Sequence, residues 1–384
     1  MPFRPAVRRT LVRLGFALGR LLGPPQRRVT LAISHATAIG GNLAYIHDEL
    51  LRRRPPVPTT VLAYRAEPGW RGLIGSSLDS VRSGYHLARS RVTVVDDYFQ
   101  PMYAVKPRPG TRYAQVWHAA GAFKKFGYSV LDKEFGKTEE AVARFPIHTN
   151  YDVCLVSSMR FAPNYAEAFR QPLDRFDSSV GLPRTDVFFE ARREAAERQV
   201  RARYPTGGRR AILYAPTFRG ASISKARAPG SLDLAVLRRE LGSDHVLLLR
   251  QHPFVRSTSE IDPAIADFVI DTSDHPDINE LMLMSDVLVT DYSSAMYEFS
   301  LLNRPMAFFA PDHEDYVDER GFYFDYRSGV PGPIFDVTED LAAWLRAGVF
   351  DLDRVARFRA ESFDVADGHA SERFVDRIVL PALR

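Results

Sequence analysis

Two histidines in this chain stand where apolar runs stop. Residues 113–116 lead into Trp117, His118, Ala119, Ala120 and Gly121, and then into Lys124 and Lys125. A histidine at the end of a buried run, followed by small residues that let backbone approach a ligand and by two cations, suits the deprotonation of a hydroxyl beside a phosphate. The alternative is a histidine hydrogen-bonded within a loop. The second histidine closes the run 247–249, which stops abruptly at Arg250, Gln251, His252 and Pro253. In the segment 181–186, Arg184 could fork onto a phosphate or pair with Asp186. Residues 212–214 enter a tight turn at Ala215, Pro216, Thr217, Phe218, Arg219 and Gly220, which offers a hydroxyl and backbone amides. After the run 287–290, Ser293 and Ser294 fall at the expected start of a helix, where unpaired amides and the helix dipole favour an anion. The alternative there is that a serine merely caps the helix, with Glu298 facing solvent or supporting a capping box.

Other signals are weaker. Cys154, the single cysteine, sits inside an apolar run and reads as a small buried residue rather than a nucleophile. Gly40 and Gly41 match neither the Walker nor the dinucleotide pattern and read as a helix entry near the cleft. Asp312, His313, Glu314, Asp315, Asp318 and Glu319 match no calcium loop and read as a solvated acidic turn.

These residues need elements to hold them, and the pattern from residue 29 onward is short apolar run, turn, amphipathic stretch, repeated. Runs this short and this uniformly apolar suit parallel strands covered on both faces. Strands are predicted at 29–34, 60–64, 92–95, 113–116, 153–157 and 178–180, then at 211–214, 246–250, 268–271, 287–290 and 306–309. Helices are predicted at 43–53, 75–88, 161–169, 187–203, 234–241, 278–284 and 295–302. The alternation implies two doubly wound α/β domains, 29–203 and 204–384, joined near Tyr204–Gly208, with a ligand cleft between the carboxyl ends of their strands.

The length of 384 residues agrees with two domains, and 45% hydrophobic residues against 26% charged excludes a disordered or fibrous chain. One cysteine excludes a disulfide framework and suits a reducing compartment. The net charge of +4 is unevenly placed: residues 1–28 carry seven arginines and no acid, and the rest carries 44 basic and 47 acidic residues. The body therefore gives no electrostatic reason to expect nucleic acid. The leader places Val7, Leu11, Leu14, Ala17, Leu18, Leu21 and Leu22 on one helical face, too broken by arginines to span a bilayer or to act as a secretory signal. It reads as a basic amphipathic helix on an anionic membrane, or else as a helix packed on the body of the protein.

Taken together, Trp117-His118 with Lys124-Lys125-Phe126-Gly127, Gly181 through Asp186, Tyr214 through Arg219, Arg250 through Pro253, Asp277 through Leu281, Ser285 through Ser294, Arg304-Pro305 and Gly321 through Tyr326 resemble the CDP-glycerol glycerophosphotransferases of wall teichoic acid synthesis. The resemblance implies a GT-B fold, two Rossmann-like domains facing across a cleft, and peripheral attachment to the cytoplasmic face of the membrane. It implies transfer of glycerol phosphate from CDP-glycerol to a hydroxyl of a lipid-linked saccharide or polyol phosphate acceptor, with release of CMP and with no cofactor. On that reading His118 is the base on the acceptor hydroxyl, and His252 contacts the pyrophosphate or protonates the leaving phosphate. By similarity Arg184, Pro216, Thr217, Arg250, Gln251, Ser293, Ser294 and Glu298 line the donor pocket. The family commonly has Gly-Thr-Pro after the first histidine where this chain has Ala119, Ala120 and Gly121, which bears on acceptor preference. A ribitol or other CDP-polyol donor, a nucleotide-sugar 2-epimerase of the same architecture, and a non-catalytic membrane scaffold are the rival readings.

Overall fold

The computed structural model describes residues 3–65, 69–131, 133, 136–220, 228–229, 232–252, 255 and 261–384. The chain builds two six-stranded, wholly parallel sheets. The first holds β1 (Gln26–Ile33), β2 (Thr59–Ala63), β3 (Ser90–Val95), β4 (Arg112–Gln115), β5 (Val153–Leu155) and β6 (Phe176–Asp177) in the order β2-β1-β3-β4-β5-β6. The second holds β7 (Arg210–Tyr214), β8 (His245–Leu249), β9 (Val269–Asp271), β10 (Val287–Thr290), β11 (Met306–Phe309) and β12 (Ile334–Phe335) in the order β12-β11-β10-β7-β8-β9. Helices on both faces bury these strands, and that is why Val29, Leu31, Ala32, Leu247, Leu248 and Leu288 are all fully inaccessible. Strand β6 lies two residues before the predicted 178–180, and the two-residue β12 has no counterpart among the predicted strands.

The basic leader is helical from Phe3 to Leu21 (α1) and lies on the crossover helix Gly69–Arg89 (α3). The two backbones touch: a Cβ on Gly15 would lie 2.0 Å from the Val81 carbonyl oxygen, and one on Gly84 would lie 2.0 Å from that of Val12. Gly19 approaches Ala88 and Tyr85 in the same direction, so α1 and α3 run parallel. Val12 and Phe16 are buried between them, and Gln26–Arg28 already belong to β1. Among the described residues no helix is long and apolar enough to cross a membrane.

Several ties join the two halves, two of them at the base loop and at the end of the chain. The segment after His118 forms an antiparallel bridge with the second domain, Lys124 opposite Phe322, through Lys125 N to Gly321 O (3.1 Å) and Tyr323 N to Phe123 O (3.0 Å), and Phe123 stacks on Phe322. The final helical stretch crosses back to the first sheet, where Arg53 pairs with Asp376 at 2.7 Å and Arg27 Nε donates to Leu383 O at 2.7 Å. Two facing parallel α/β domains with the chain returning at its end are the GT-B arrangement.

Candidate active site

The carboxyl ends of β1, β3 and β4 converge on His118. The hydrogen bond between its Nδ1 and the Asp96 backbone oxygen (3.0 Å) requires the proton on Nδ1 and leaves the Nε2 lone pair free to act as a base. The ring is open to the cleft and stacks on Trp117 at 4.3 Å. Its surroundings still exclude enough water to lower its pKa below the ordinary histidine value, with Asp97 and the Asp96 carbonyl opposing that fall and His35 and Arg184 adding to it.

Trp117 adopts φ 49°, an unusual conformation for a bulky residue, and the side chains of Gln115 and Asn42 hold it there. Gln115, wholly buried, accepts from Trp117 N at 2.9 Å and donates from Nε2 to Asp97 O and to the Tyr151 hydroxyl. Asn42, at the start of α2 (Gly41–Arg52), donates to the Val116 and Trp117 carbonyls at 3.0 and 2.8 Å and accepts from Arg184 N at 2.9 Å. At the end of β3, Asp97 pairs with His35 Nδ1 at 3.0 Å and accepts from Tyr98 N at 2.7 Å. Burial would raise the Asp97 carboxyl, but the bond from His35 and the neighbouring His118 hold it below the usual range. Burial pushes the adjacent Asp96 carboxyl up to about 7.

Ala119, Ala120 and Gly121 form the seam between the domains. Tyr165 donates to the Ala119 and Gly121 carbonyls at 3.2 Å each, and Ser157 donates to that of Ala120 at 2.6 Å. A Cβ on Gly121 would meet the Tyr297 ring at 2.1 Å, so glycine there lets the second domain close onto the base loop. Arg184 crosses the same seam. It does not pair with Asp186, whose carboxylate receives the Ala370 and Ser371 amides at 2.9 Å each. Its guanidinium instead donates to the His118 carbonyl at 2.5 Å and to Asn279 Oδ1 at 3.4 Å, and lies 3.6 Å from Glu298. Glu298 is 3% exposed, so it is an interior carboxylate rather than a solvated one. Burial raises its pKa against the pull of Arg184.

The opposite wall belongs to the second sheet. His252, after β8, lies with its ring 4.8 Å from Phe218. Burial together with the charges of Lys124 and Arg250 pushes its pKa down to about 4. Lys124 belongs to the first domain, so the two histidine loops share one cleft. Arg250 donates to the Thr272 and Ser273 carbonyls, and Gln251 N donates to Ser273 Oγ at 3.0 Å. Pro253, the last residue of that motif, lies outside the described residues. Pro216 and Thr217 are buried, with the Thr217 amide and hydroxyl both on Asp291 at 2.8 and 3.0 Å. Asp291 also pairs with Arg219, which Asp312 holds from the other side; the segment expected as an acidic turn is instead the helix His313–Arg320, with Asp312 at its amino end as a strut. The side chains of Asp318 and Glu319 lie outside the described residues. Ser293 Oγ accepts from Ala295 N at 3.2 Å, which is the capping alternative, while Ser294 makes no side-chain cap for the helix Ala295–Ser300. Cys154 is buried in β5.

His35, Asn42, Asp96, Asp97, Gln115 and Asn279 are the site residues that sequence reasoning did not single out. Asp96 and Asp97 do follow directly on the apolar run 92–95, and Asn42 closes the glycine turn after β1, so position at a strand end was the available signal.

The model of the CDP-Glycerol:Poly(glycerophosphate) glycerophosphotransferase family matches residues 21–380. A teichoic acid ribitol-phosphate primase of Bacillus spizizenii is 36% identical over 94% of this chain and 93% of its own length. The teichoic acid poly(ribitol-phosphate) polymerase of the same organism is 35% identical over 97% of this chain, which spans 59% of that longer protein. A teichoic acid glycerol-phosphate primase from that organism is 31% identical over 77% of this chain and 75% of its own length. Among solved structures, the wall teichoic acid polymerase TagF superposes with a TM-score of 0.79 over 99% of this chain and 97% of that chain at 24% identity, which supports the fold. A UDP-GlcNAc 2-epimerase from Neisseria meningitidis aligns over 92% of this chain and 99% of that chain at a TM-score of only 0.52 and 13% identity. With the cleft, its two histidine loops and these matches in agreement, the chain belongs to the CDP-glycerol:poly(glycerophosphate) glycerophosphotransferase family of teichoic acid primases and polymerases.

Proposed function

We propose that this enzyme transfers a polyol phosphate from a CDP-polyol to a hydroxyl of a lipid-linked teichoic-acid-type acceptor. The acceptor O–H gives its proton to His118 Nε2 as its oxygen bonds to the polyol-bearing phosphorus. The bond from that phosphorus to the bridging oxygen breaks, and CMP leaves with that oxygen. The observation that carries the reading is the proton-free Nε2 of His118 in a cleft whose other wall brings the charges of Lys124 and Arg250 to bear on His252. Such a wall suits a pyrophosphate. Arg250, Gln251, His252, Ser293 and Ser294 take the phosphates and cytidine. Pro216 and Thr217 shape the adjoining turn, and Arg184 with Glu298 closes the pocket toward His118.

Glycerol is the donor implied by the sequence motifs. Ribitol is favoured by a separate observation: relatives named for ribitol phosphate reach 34–36% identity over 88–97% of this chain, and those named for glycerol phosphate reach 27–33% over 62–78%. Incubation with CDP-glycerol and CDP-ribitol in parallel, with a lipid-linked polyol phosphate acceptor, decides between them by CMP release and product length. CMP from neither donor, or conversion of a UDP-sugar without acceptor, would sink the transferase reading.

Attachment to the cytoplasmic face of the membrane is proposed through α1 and α3. Leu14, Leu18 and Leu21 on α1 and Trp70, Leu73, Ile74 and Leu78 on α3 are exposed, Leu21 by 84% and Trp70 by 67%. Beside them Arg13, Arg20 and Lys106 line a groove of about 600 Å³ floored by Phe16, Ala17 and Val105. Withdrawing an apolar side chain of this size from water contributes roughly 1.5–3 kcal/mol, so partial insertion of several holds the protein at the surface, with the cations at anionic headgroups. Leu14→Ser with Leu18→Ser is expected to abolish co-sedimentation with phosphatidylglycerol vesicles while CDP-polyol binding persists. Unchanged sedimentation would place the contact elsewhere.

A further inference from the structure

The reading of His118 as a base leaves a question of charge. Once its Nε2 has taken the acceptor proton, the ring is a cation flanked by Arg184 and His35, both of which oppose that charge. Its Nδ1 partner is a neutral carbonyl, so no carboxylate stands behind the ring as a direct hydrogen-bond acceptor. We propose that Asp97 supplies the missing anion, stabilising the imidazolium through space, and that His35 is the positioning residue that keeps Asp97 in place.

The geometry is specific. Asp97 is the residue after Asp96, whose carbonyl holds the His118 ring, so its carboxylate and that ring are set by one turn of chain at the end of β3. That turn is fixed from three sides: His35 Nδ1 and Tyr98 N bind the Asp97 carboxylate at 3.0 and 2.7 Å, and Gln115 Nε2 binds the Asp97 carbonyl at 3.2 Å. The same Gln115 holds Trp117 N, so one side chain fixes the spacing between the anion and the base. His35 is near half exposed, with its side chain 44% accessible, which excludes a role as mere filling. Among the described residues, the charged and titratable groups acting on His118 are Asp97 and Asp96 just after β3, His35 just after β1 and Arg184 in the helical turn after β6. Asp96 is the weaker candidate for the anion, because burial favours its neutral form and its Oδ1 has no hydrogen-bond donor to hold it charged. A protonated His35 keeps Asp97 ionised, at the cost of a charge that opposes the imidazolium.

This inference rests on His118 being the base, and the experiment separates the two. In ¹⁵N-histidine-labelled enzyme without substrate, titration of His118 is followed by NMR in the wild type, Asp97→Asn and His35→Gln, with pH–rate profiles on the CDP-polyol that the wild type turns over. Loss of the Asp97 charge is expected to move the His118 titration and the acid limb of kcat to lower pH, with kcat about tenfold lower. Loss of the His35 charge is expected to move both to higher pH, since glutamine at position 35 keeps a donor for Asp97 and removes only the opposing cation. Asp97→Glu restores part of the rate. A merely structural role cannot move the two titrations in opposite directions. An unmoved His118 titration in Asp97→Asn, or shifts of the same sign in both variants, overturns the proposal; if Asp97→Asn does not fold, the direction of the His35→Gln shift alone decides. Turnover retained in His118→Ala overturns the base reading instead.

Discussion

The two histidines that face the cleft are alike in type and opposite in setting. His118 is tied by Nδ1 to a carbonyl and has an aspartate within electrostatic reach, so it keeps some of its basicity in a partly dehydrated site. His252 is driven to about 4 by burial, with Lys124 and Arg250 adding to the fall. The first arrangement tolerates a proton arriving. The second resists one until an anion enters, because a bound pyrophosphate would cancel the two cations and raise the imidazole back toward the range where it can donate. Burial lowers both imidazoles, and the sign of the neighbours then separates their roles.

If that contrast is right, His118→Ala should have the largest effect, a loss of roughly 10²–10⁴ in kcat with CDP-polyol affinity nearly intact. Near-normal turnover with the donor still bound would remove His118 from the chemistry. In the wild type the acid limb of kcat should lie below the ordinary histidine range. His118 works when neutral and its pKa is lowered, so activity persists into mild acid and falls only once pH drops through that lowered value. His252→Gln should cost less, on the order of 10–100-fold, divided between KM for the donor and kcat. Its sharper test is NMR titration with and without the CDP-polyol: donor binding should raise the His252 titration, and no change would mean that it does not sense the pyrophosphate. The smallest effect on chemistry and the largest on folding is expected from Arg184→Ala. It leaves Glu298 buried without its cation, at a cost of about 3–5 kcal/mol in stability. Arg184→Ala combined with Glu298→Gln should recover much of that loss, measured by denaturant unfolding.

Much of this architecture was legible because strands buried on both faces announce themselves. The runs 287–290 and 306–309 coincide with β10 and β11, and 92–95 lies within β3. Two-residue strands such as β6 and β12 carry too little pattern to register, and β6 includes Asp177, which breaks the apolar run. The paired histidine loops were legible for the same reason, since each ends a buried run. What could not be read were contacts made by topology. Asn42 reaches Trp117 and Arg184 across 75 and 142 positions, and Gln115 acts on Asp97 only because β4 lies beside β3. The Arg184–Glu298 pair likewise joins residues from different domains, so local spacing offered only a phosphate or Asp186 as partners for Arg184.

The parallel packing of α1 on α3 fixes a direction for traffic. Helix α3 leaves the carboxyl edge of β2 and delivers the chain to the amino edge of β3, so Trp70, Leu73 and Ile74 at its start stand at the same edge of the sheet as His35, Asp97 and His118. With the helix pair lying along the bilayer as proposed, a hydroxyl carried by a lipid near Trp70 would reach the base at the same edge of the sheet, with no detour around the domain. Backbone contact at Gly15 and Gly84 keeps the pair from sliding, so on the proposed attachment the height of His118 above the lipid would be a built-in length of the fold.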